Sequence, residues 1–239
     1  SFLDRLYWLP CVSLILIFFS GCRDTGSGEA LRFIELDPAA AAARADTIRQ
    51  SVSAQVAEGL ELKPWAFDSL APDPIALSVD QQGRVYLSAT NRRRSGEIDI
   101  RGHRDWMTAS IALQSVEDRR RFLHDTLAPE RSAQNEWLAD MNGDGSRDWR
   151  DLTVPREQVF RLEDRDGDGI ADRAQLFAEG FNSEVSDLAG ALLATGDEVF
   201  LGVAPDLWRL EDRDGDGAAD HRTSISHGFQ VHLGFGGHN

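Results

Sequence analysis

The sequence predicts a mainly all-β chain interrupted by two helical stretches, and three observations carry that expectation. Alternating apolar runs flank short polar turns at Ile75–Val79 and Arg84–Ser88, and again at Ala191–Thr195 and Glu198–Gly202. A twelve-residue acidic stretch, Arg161–Asp172, returns as Arg209–Asp220 with one difference, Ile170 against Ala218. The two copies lie 48 residues apart, about the size of one small antiparallel sheet in a repeating array.

Each copy sets carboxylates at turn positions 1, 3, 5 and 9: Asp164, Asp166, Asp168 and Asp172, then Asp212, Asp214, Asp216 and Asp220. A looser copy comes earlier, with Asp140, Asn142, Asp144 and Asp148. Alternate residues of a tight turn can aim their oxygens inward, and glycines at positions 4 and 6 let the backbone wrap. Position 7 (Ser146, Ile170, Ala218) adds a backbone carbonyl, so the set suits Ca2+, a hard cation that takes about 6–8 oxygens. Plain hairpin turns would account for the glycines. They would not account for four mutually repelling acids. These are not EF-hands, because position 12 holds Gln175 and Thr223, with an acid there only in the first turn, Asp151. The expected role is a structural clip.

Length and composition allow one large or two small domains with an ample core, since 41% of the 239 residues are apolar. Eleven acids of the three turns account for most of the net charge of −15, which would otherwise be about −4. With no basic stripe to neutralise phosphates, nucleic acid is not an expected partner. The triplets Arg92-Arg93-Arg94 and Arg119-Arg120-Arg121 read as solvated faces. Both cysteines, Cys11 and Cys22, fall in the first 22 residues, so the folded part has no disulfide, zinc cluster, thiol nucleophile or CxxCH haem site.

In order, residues 1–22 read as an export leader, 23–64 as a polar tether with an Ala-rich helix, and 65–239 as the sheet region with a helical insertion near 104–127. Leu6–Phe19 is almost wholly apolar but short for a membrane span. Phe19-Ser20-Gly21-Cys22 resembles a lipobox, which would make Cys22 the lipidated N-terminus; the alternative is an uncleaved helical anchor. Either way the body is expected outside the cytoplasm, on a cell-envelope membrane. Asp37 and Pro38 open a helix expected to run to Glu58 before Gly59, with Ile48, Val52 and Val56 as its apolar stripe. A second helix is expected over Trp106–Leu127, with Ile111, Val116, Leu123 and Leu127 facing the core. Just before it, Asp99 and His103 stand four apart, a spacing open to acid–base chemistry or to a satisfied surface cluster. The Gly- and His-rich run His227–Asn239 is either a pocket edge or a connector. The order strand, turn, strand, strand, acidic turn, strand gives blade-sized units. The fold expected is an incomplete β-propeller of two to three blades, within a longer protein, since a ring needs at least four.

Particular segments carry a family resemblance. "GEIDIRGHRDWM", "LADMNGDGSRDWRDL", "VFRLEDRDGDGIADRAQLFAEGF", "VFLGVAPDLWRLEDRDGDGAADHRTSISHGF" and "GFGGHN" resemble the N-terminal propeller of the PVC-type haem-binding CxxCH proteins, also called membrane-bound dehydrogenase-domain proteins. The resemblance spans about residues 65–239. It implies a propeller like that of quinoprotein sugar dehydrogenases, with a cytochrome c domain and its haem farther along the polypeptide. By that resemblance His238 would take the hydroxyl proton of a sugar or alcohol, with PQQ as hydride acceptor. His232 and His227 are weaker candidates for the same pocket. The alternative is a non-catalytic envelope propeller that binds glycan or protein.

Overall fold

Tight turns, more than helices, set the architecture. The computed structural model describes residues 32–70, 72–92, 98–196 and 198–234. Within those residues nine strands form two antiparallel sheets, accompanied by a few short helices, and neither sheet closes into a barrel. The leader, Cys22 and His238 lie outside the described residues.

The first hairpin joins β2 (Pro74–Val79) to β3 (Val85–Thr90). Its turn is held by the Asp80 carboxylate, which accepts from the backbone N–H groups of Gln82 (2.9 Å) and Arg84 (2.8 Å). β4 (Glu157–Glu163) pairs with β3 and β5 (Arg173–Glu179) with β4, giving an antiparallel meander. The three-residue β1 (Phe33–Glu35) adds to the outer edge of β5. The meander then repeats as β6 (Ala189–Ala194), β7 (Glu198–Val203), β8 (Asp206–Glu211) and β9 (His221–His227). Glu163 faces Arg173, and Glu211 faces His221, so the two acidic turns join the third and fourth strands of the β2–β5 and β6–β9 meanders in one register.

Alternation along these strands sends residues to two apolar layers. Tyr86, Val159 and Phe177 of the first sheet pack with Val199, Leu201, Val203 and Leu210 of the second. On its opposite face the first sheet buries Phe160, Leu162 and Ala174 beneath Leu70 and Trp65. Each fully buried side chain of this size contributes about 1.5–3 kcal/mol, which is what holds the layers together.

The helices depart from expectation in extent. Asp37 caps α1 (Pro38–Ser51) by accepting from Ala40 N–H at 3.0 Å, as anticipated, but the helix ends at Ser51. Val52 and Val56 stay 50% and 44% exposed, so no buried stripe supports further turns of β-branched and serine residues. The second helix is two: α2 (Met107–Ala112) and α3 (Val116–Thr126). Ser115 starts α3 by accepting from Asp118 N–H, and Asp118 in turn accepts from Gln114 N–H, so the chain restarts there. Ile111 is consequently 71% exposed, whereas Val116, Leu123 and Leu127 are buried with Leu138, Leu152 and Val185.

One charged node lies inside. Arg92 and Glu157 are both essentially fully buried and paired at 3.4 Å. Glu157 also accepts from the Thr90 hydroxyl (2.6 Å) and from Ala189 N–H (2.8 Å), so it ties β3, β4 and β6. Arg92 donates to the carbonyls of Leu152 and Pro155. The solvated-face expectation therefore fails for Arg92, and equally for Arg119, which is buried and donates to Gln230 O at 2.8 Å. Burial pushes the Glu157 carboxyl above its ordinary range, against the opposing pull of Thr90, Ala189 and Arg92.

Removing Arg92 would strand that carboxylate, so Arg92→Ala should cost about 3–5 kcal/mol in urea unfolding at neutral pH. An acid whose folded pKa is raised adds stability below its unfolded value and loses it as pH rises through the folded one. Glu157→Gln should therefore show a shallower loss of stability than the wild type above pH 4.5, the ordinary glutamate value. Parallel pH profiles would refute the assignment.

Candidate metal centre

Three acidic turns share one internal geometry. The position-1 carboxylate accepts from the N–H groups of positions 4 and 6. These are Asp140 from Gly143 (2.7 Å) and Gly145 (3.0 Å), Asp164 from Gly167 and Gly169 (both 2.8 Å), and Asp212 from Gly215 (2.8 Å) and Gly217 (2.9 Å). Position 3 accepts from position 5, and position 5 accepts from position 7, in all three turns. The glycines at positions 4 and 6 are all left-handed, with φ between +71° and +89°, which a side chain would resist. Backbone amides thus engage part of each carboxylate and fix its direction. In the second and third turns, Asp164, Asp166 and Asp168, and likewise Asp212, Asp214 and Asp216, bring oxygens within 4.8 Å of one another. An all-oxygen donor set of this kind suits a hard cation.

Position 9 closes each of these two turns back onto its start. Asp172 is buried; its Oδ1 accepts from Arg165 N–H (3.3 Å) and Arg165 Nε (3.0 Å), while its Oδ2 is buried without a hydrogen-bond partner. Burial pushes the Asp172 carboxyl up, but the Arg165 side chain and N–H outweigh it and hold the group below its ordinary range. Asp220, exposed, accepts from Arg213 and Asp214 N–H groups (both 3.2 Å). The first turn differs. Asp148 is spent as the cap of the 3-10 helix Trp149–Thr153, accepting from Arg150 N–H and its guanidinium. Asp151 takes the closing role, accepting from Met141 (2.8 Å) and Asn142 (3.2 Å). Its position-12 acid was visible in the sequence, but nothing there distinguished it from Asp148. Ser146 Oγ, at position 7 of this turn, is buried without a partner.

The third turn is also seated on the first sheet. Gln175 Nε2 donates to Asp216 O at 2.9 Å, and a Cβ on Gly217 would fall 2.5 Å from both Arg161 Nη2 and Gln175 Oε1. A cleft of about 130 Å³ remains beside this seat, between Tyr86, Arg161 and Phe177 on one side and Asp212 and Gly215 on the other. By contrast, a Cβ on Gly169 in the second turn would meet open space.

Among the described residues, His103, His227 and His232 each engage a different partner. His103 lies flat on Trp106 with ring centroids 4.0 Å apart, and burial lowers its pKa. Asp99 is engaged by Arg101, whose side chain holds its pKa at about 2. His227 binds Asp206 at the start of β8 (2.9 Å), whereas His232 binds Ser110 O in α2 (2.7 Å). No helix of the described residues is long and apolar enough to cross a membrane.

Residues 48–234 match the family described as "Domain of unknown function (DUF7133)". The chain belongs to the DUF7133 family. No curated protein and no solved structure matches it. In this DUF7133 member the match covers all three acidic turns and both sheets from β2 to β9.

The two glycines at position 6 make a paired test of the seat. Both have φ +89°, so an alanine at either costs about 1–2 kcal/mol of backbone strain. Gly217→Ala must in addition displace Arg161 and Gln175, so its loss in urea unfolding should clearly exceed that of Gly169→Ala. Equal losses would mean the third turn is not held against the first sheet.

Proposed function

We propose that this DUF7133 chain is a calcium-clipped segment of a β-propeller, carried on a lipid anchor at Cys22 outside the cytoplasm and belonging to an oxidoreductase of sugars or alcohols. The observation that carries the scaffold part is the recurrence of one carboxylate–amide geometry at the same corner of two successive four-stranded meanders. In the second turn Asp164, Asp166, Asp168 and Asp172 would hold the ion, with Ile170 offering its carbonyl. In the third, Asp212, Asp214, Asp216 and Asp220 would do so with Ala218. The Oδ2 of Asp172, buried without a hydrogen-bond partner, is an oxygen that a cation would satisfy. The ion would neutralise repelling charges and lock the turn; no step of chemistry passes through it. The first turn, with Asp140, Asn142, Asp144 and Ser146, is the weaker third site.

The oxidoreductase part rests on the resemblance of the sequence to membrane-bound dehydrogenase-domain propellers. His238 would accept the hydroxyl proton of the substrate. A quinone such as PQQ, when bound, supplies the hydride acceptor, and haem would belong to a cytochrome domain beyond these residues. A second reading, a non-catalytic module that binds glycan, has its own support: Trp137, 42% exposed, stands beside His103 and Trp106 in an aromatic surface suited to sugar rings.

Calcium at a hundredfold over its Kd should add about 2.7 kcal/mol per site, a rise of roughly 5–10 °C in Tm for a domain of this size. Chelator should reverse it, and Asp164→Asn combined with Asp212→Asn should abolish most of it. A Tm indifferent to calcium would remove the clip. Separately, dye-linked sugar oxidation by the full-length protein with added quinone should fall by about 10²–10⁴ in His238→Ala. Undiminished turnover, or glycan binding lost in Trp137→Ala with no oxidation at all, would favour the binding module.

A further inference from the structure

The second and third acidic turns also latch their sheets to the layer before. Ala171 N–H, just inside the end of the second turn, donates to Trp65 O at 2.7 Å. Forty-eight residues on, Ala219 N–H donates to Phe177 O, again at 2.7 Å. The layers therefore follow one another: the segment around Trp65, the first sheet, the second sheet.

The face that receives the third turn has a counterpart one sheet later. Tyr86 lies opposite Arg161, and Phe200 lies opposite Arg209. Shifted by the repeat, Val159, Gln175 and Phe177 become Leu207, Thr223 and Ile225. Arg209 keeps Glu211 beside it (3.3 Å) as Arg161 keeps Glu163 (2.7 Å). On the first sheet this face is covered: Tyr86, Val159 and Phe177 are 2%, 0% and 3% exposed. On the second it is open among the described residues, with Ile225 of β9 at 47% and Leu193, opposite Phe200 on β6, at 55%. The same surface thus occurs twice in one chain, once with its occupant in place.

We infer that the open face of β6–β9 is a docking surface for a further four-stranded sheet carrying the same nine-residue acidic turn. Its turn would donate a backbone N–H to Ile225 O and set its position-6 glycine against Arg209 and Thr223. A second copy of this chain is not the fitting occupant, because its matching faces are engaged. That of the second sheet lies on the first, and that of the first lies beneath Trp65 and Leu70. The inference rests on the stacked-sheet part of the proposed function and not on bound calcium or on redox chemistry.

The test inserts a duplicate of residues 183–230, one full repeat, in frame after Gln230 of the full chain. Ile225→Cys is made in the original copy only, with Cys11→Ser and Cys22→Ser as background, so that the chain carries a single thiol. Maleimide labelling of that thiol should slow at least tenfold in the monomeric duplicated chain compared with the unduplicated one. Gly217→Val made in the duplicate alone should restore it. Unchanged labelling, with or without a gain in β-sheet circular dichroism, overturns the inference, since a matched unit offered in the same chain has not taken the seat. Protection of the thiol in an unduplicated chain that elutes as a dimer overturns it in favour of self-association. Parallel runs in calcium and in chelator keep the two readings apart. Protection that persists in chelator leaves the docking surface standing without the clip. A calcium-dependent Tm with the thiol fully reactive leaves the clip standing without the docking surface.

Discussion

The fold depends on a carboxylate accepting two backbone amides across a turn made of glycines. At Asp164 and Asp212 this arrangement reverses the chain between the third and fourth strands, and the strands on either side then inherit their register. A turn of other composition could reverse the chain as well. It would not gather three acids around a common centre, because their mutual repulsion opposes it. Amide donors offset part of that repulsion. The remainder explains why so acidic a turn is coherent only as an ion site or as a turn facing water, and why the buried Asp172 Oδ2 distinguishes the second turn from the third.

Local signals in the sequence translate well, and non-local ones do not. The hairpin around Asp80, the cap at Asp37 and the acidic turns are each defined by residues a few positions apart, and each forms where its pattern lies. The break between α2 and α3 was also written locally, in Ser115-Val-Glu-Asp118, but the longer apolar stripe through Ile111 masked it. Burial of Arg92 could not be read, because its partner Glu157 lies 65 positions away and contributes nothing to a charge pattern around residue 92. The three-residue β1 is similar: its pairing with β5 depends on a surface that exists only once the meander has formed. Among the acids, composition alone could not separate Asp148, which caps a helix, from Asp151, which closes the turn.

Apolar burial alone would leave the relation between the sheets underdetermined, since it is non-directional and tolerates sliding. Directional contacts at both ends of β4 remove that freedom. At its start, Glu157 holds Ala189 N–H of β6 and the Thr90 hydroxyl of β3. At its other end, Arg161 and Gln175 receive the third turn, where Gly217 admits no side chain. A slip of one residue along β4 would turn Val159 and Arg161 to the opposite face and break both pins at once. The polar pins therefore specify which of many equally greasy arrangements is adopted, while the layer of Tyr86, Phe177, Val199 and Leu201 between them supplies most of the stabilisation. Because the second pin is built from the repeated stretch itself, the same division of labour is available to any sheet that carries another copy of it.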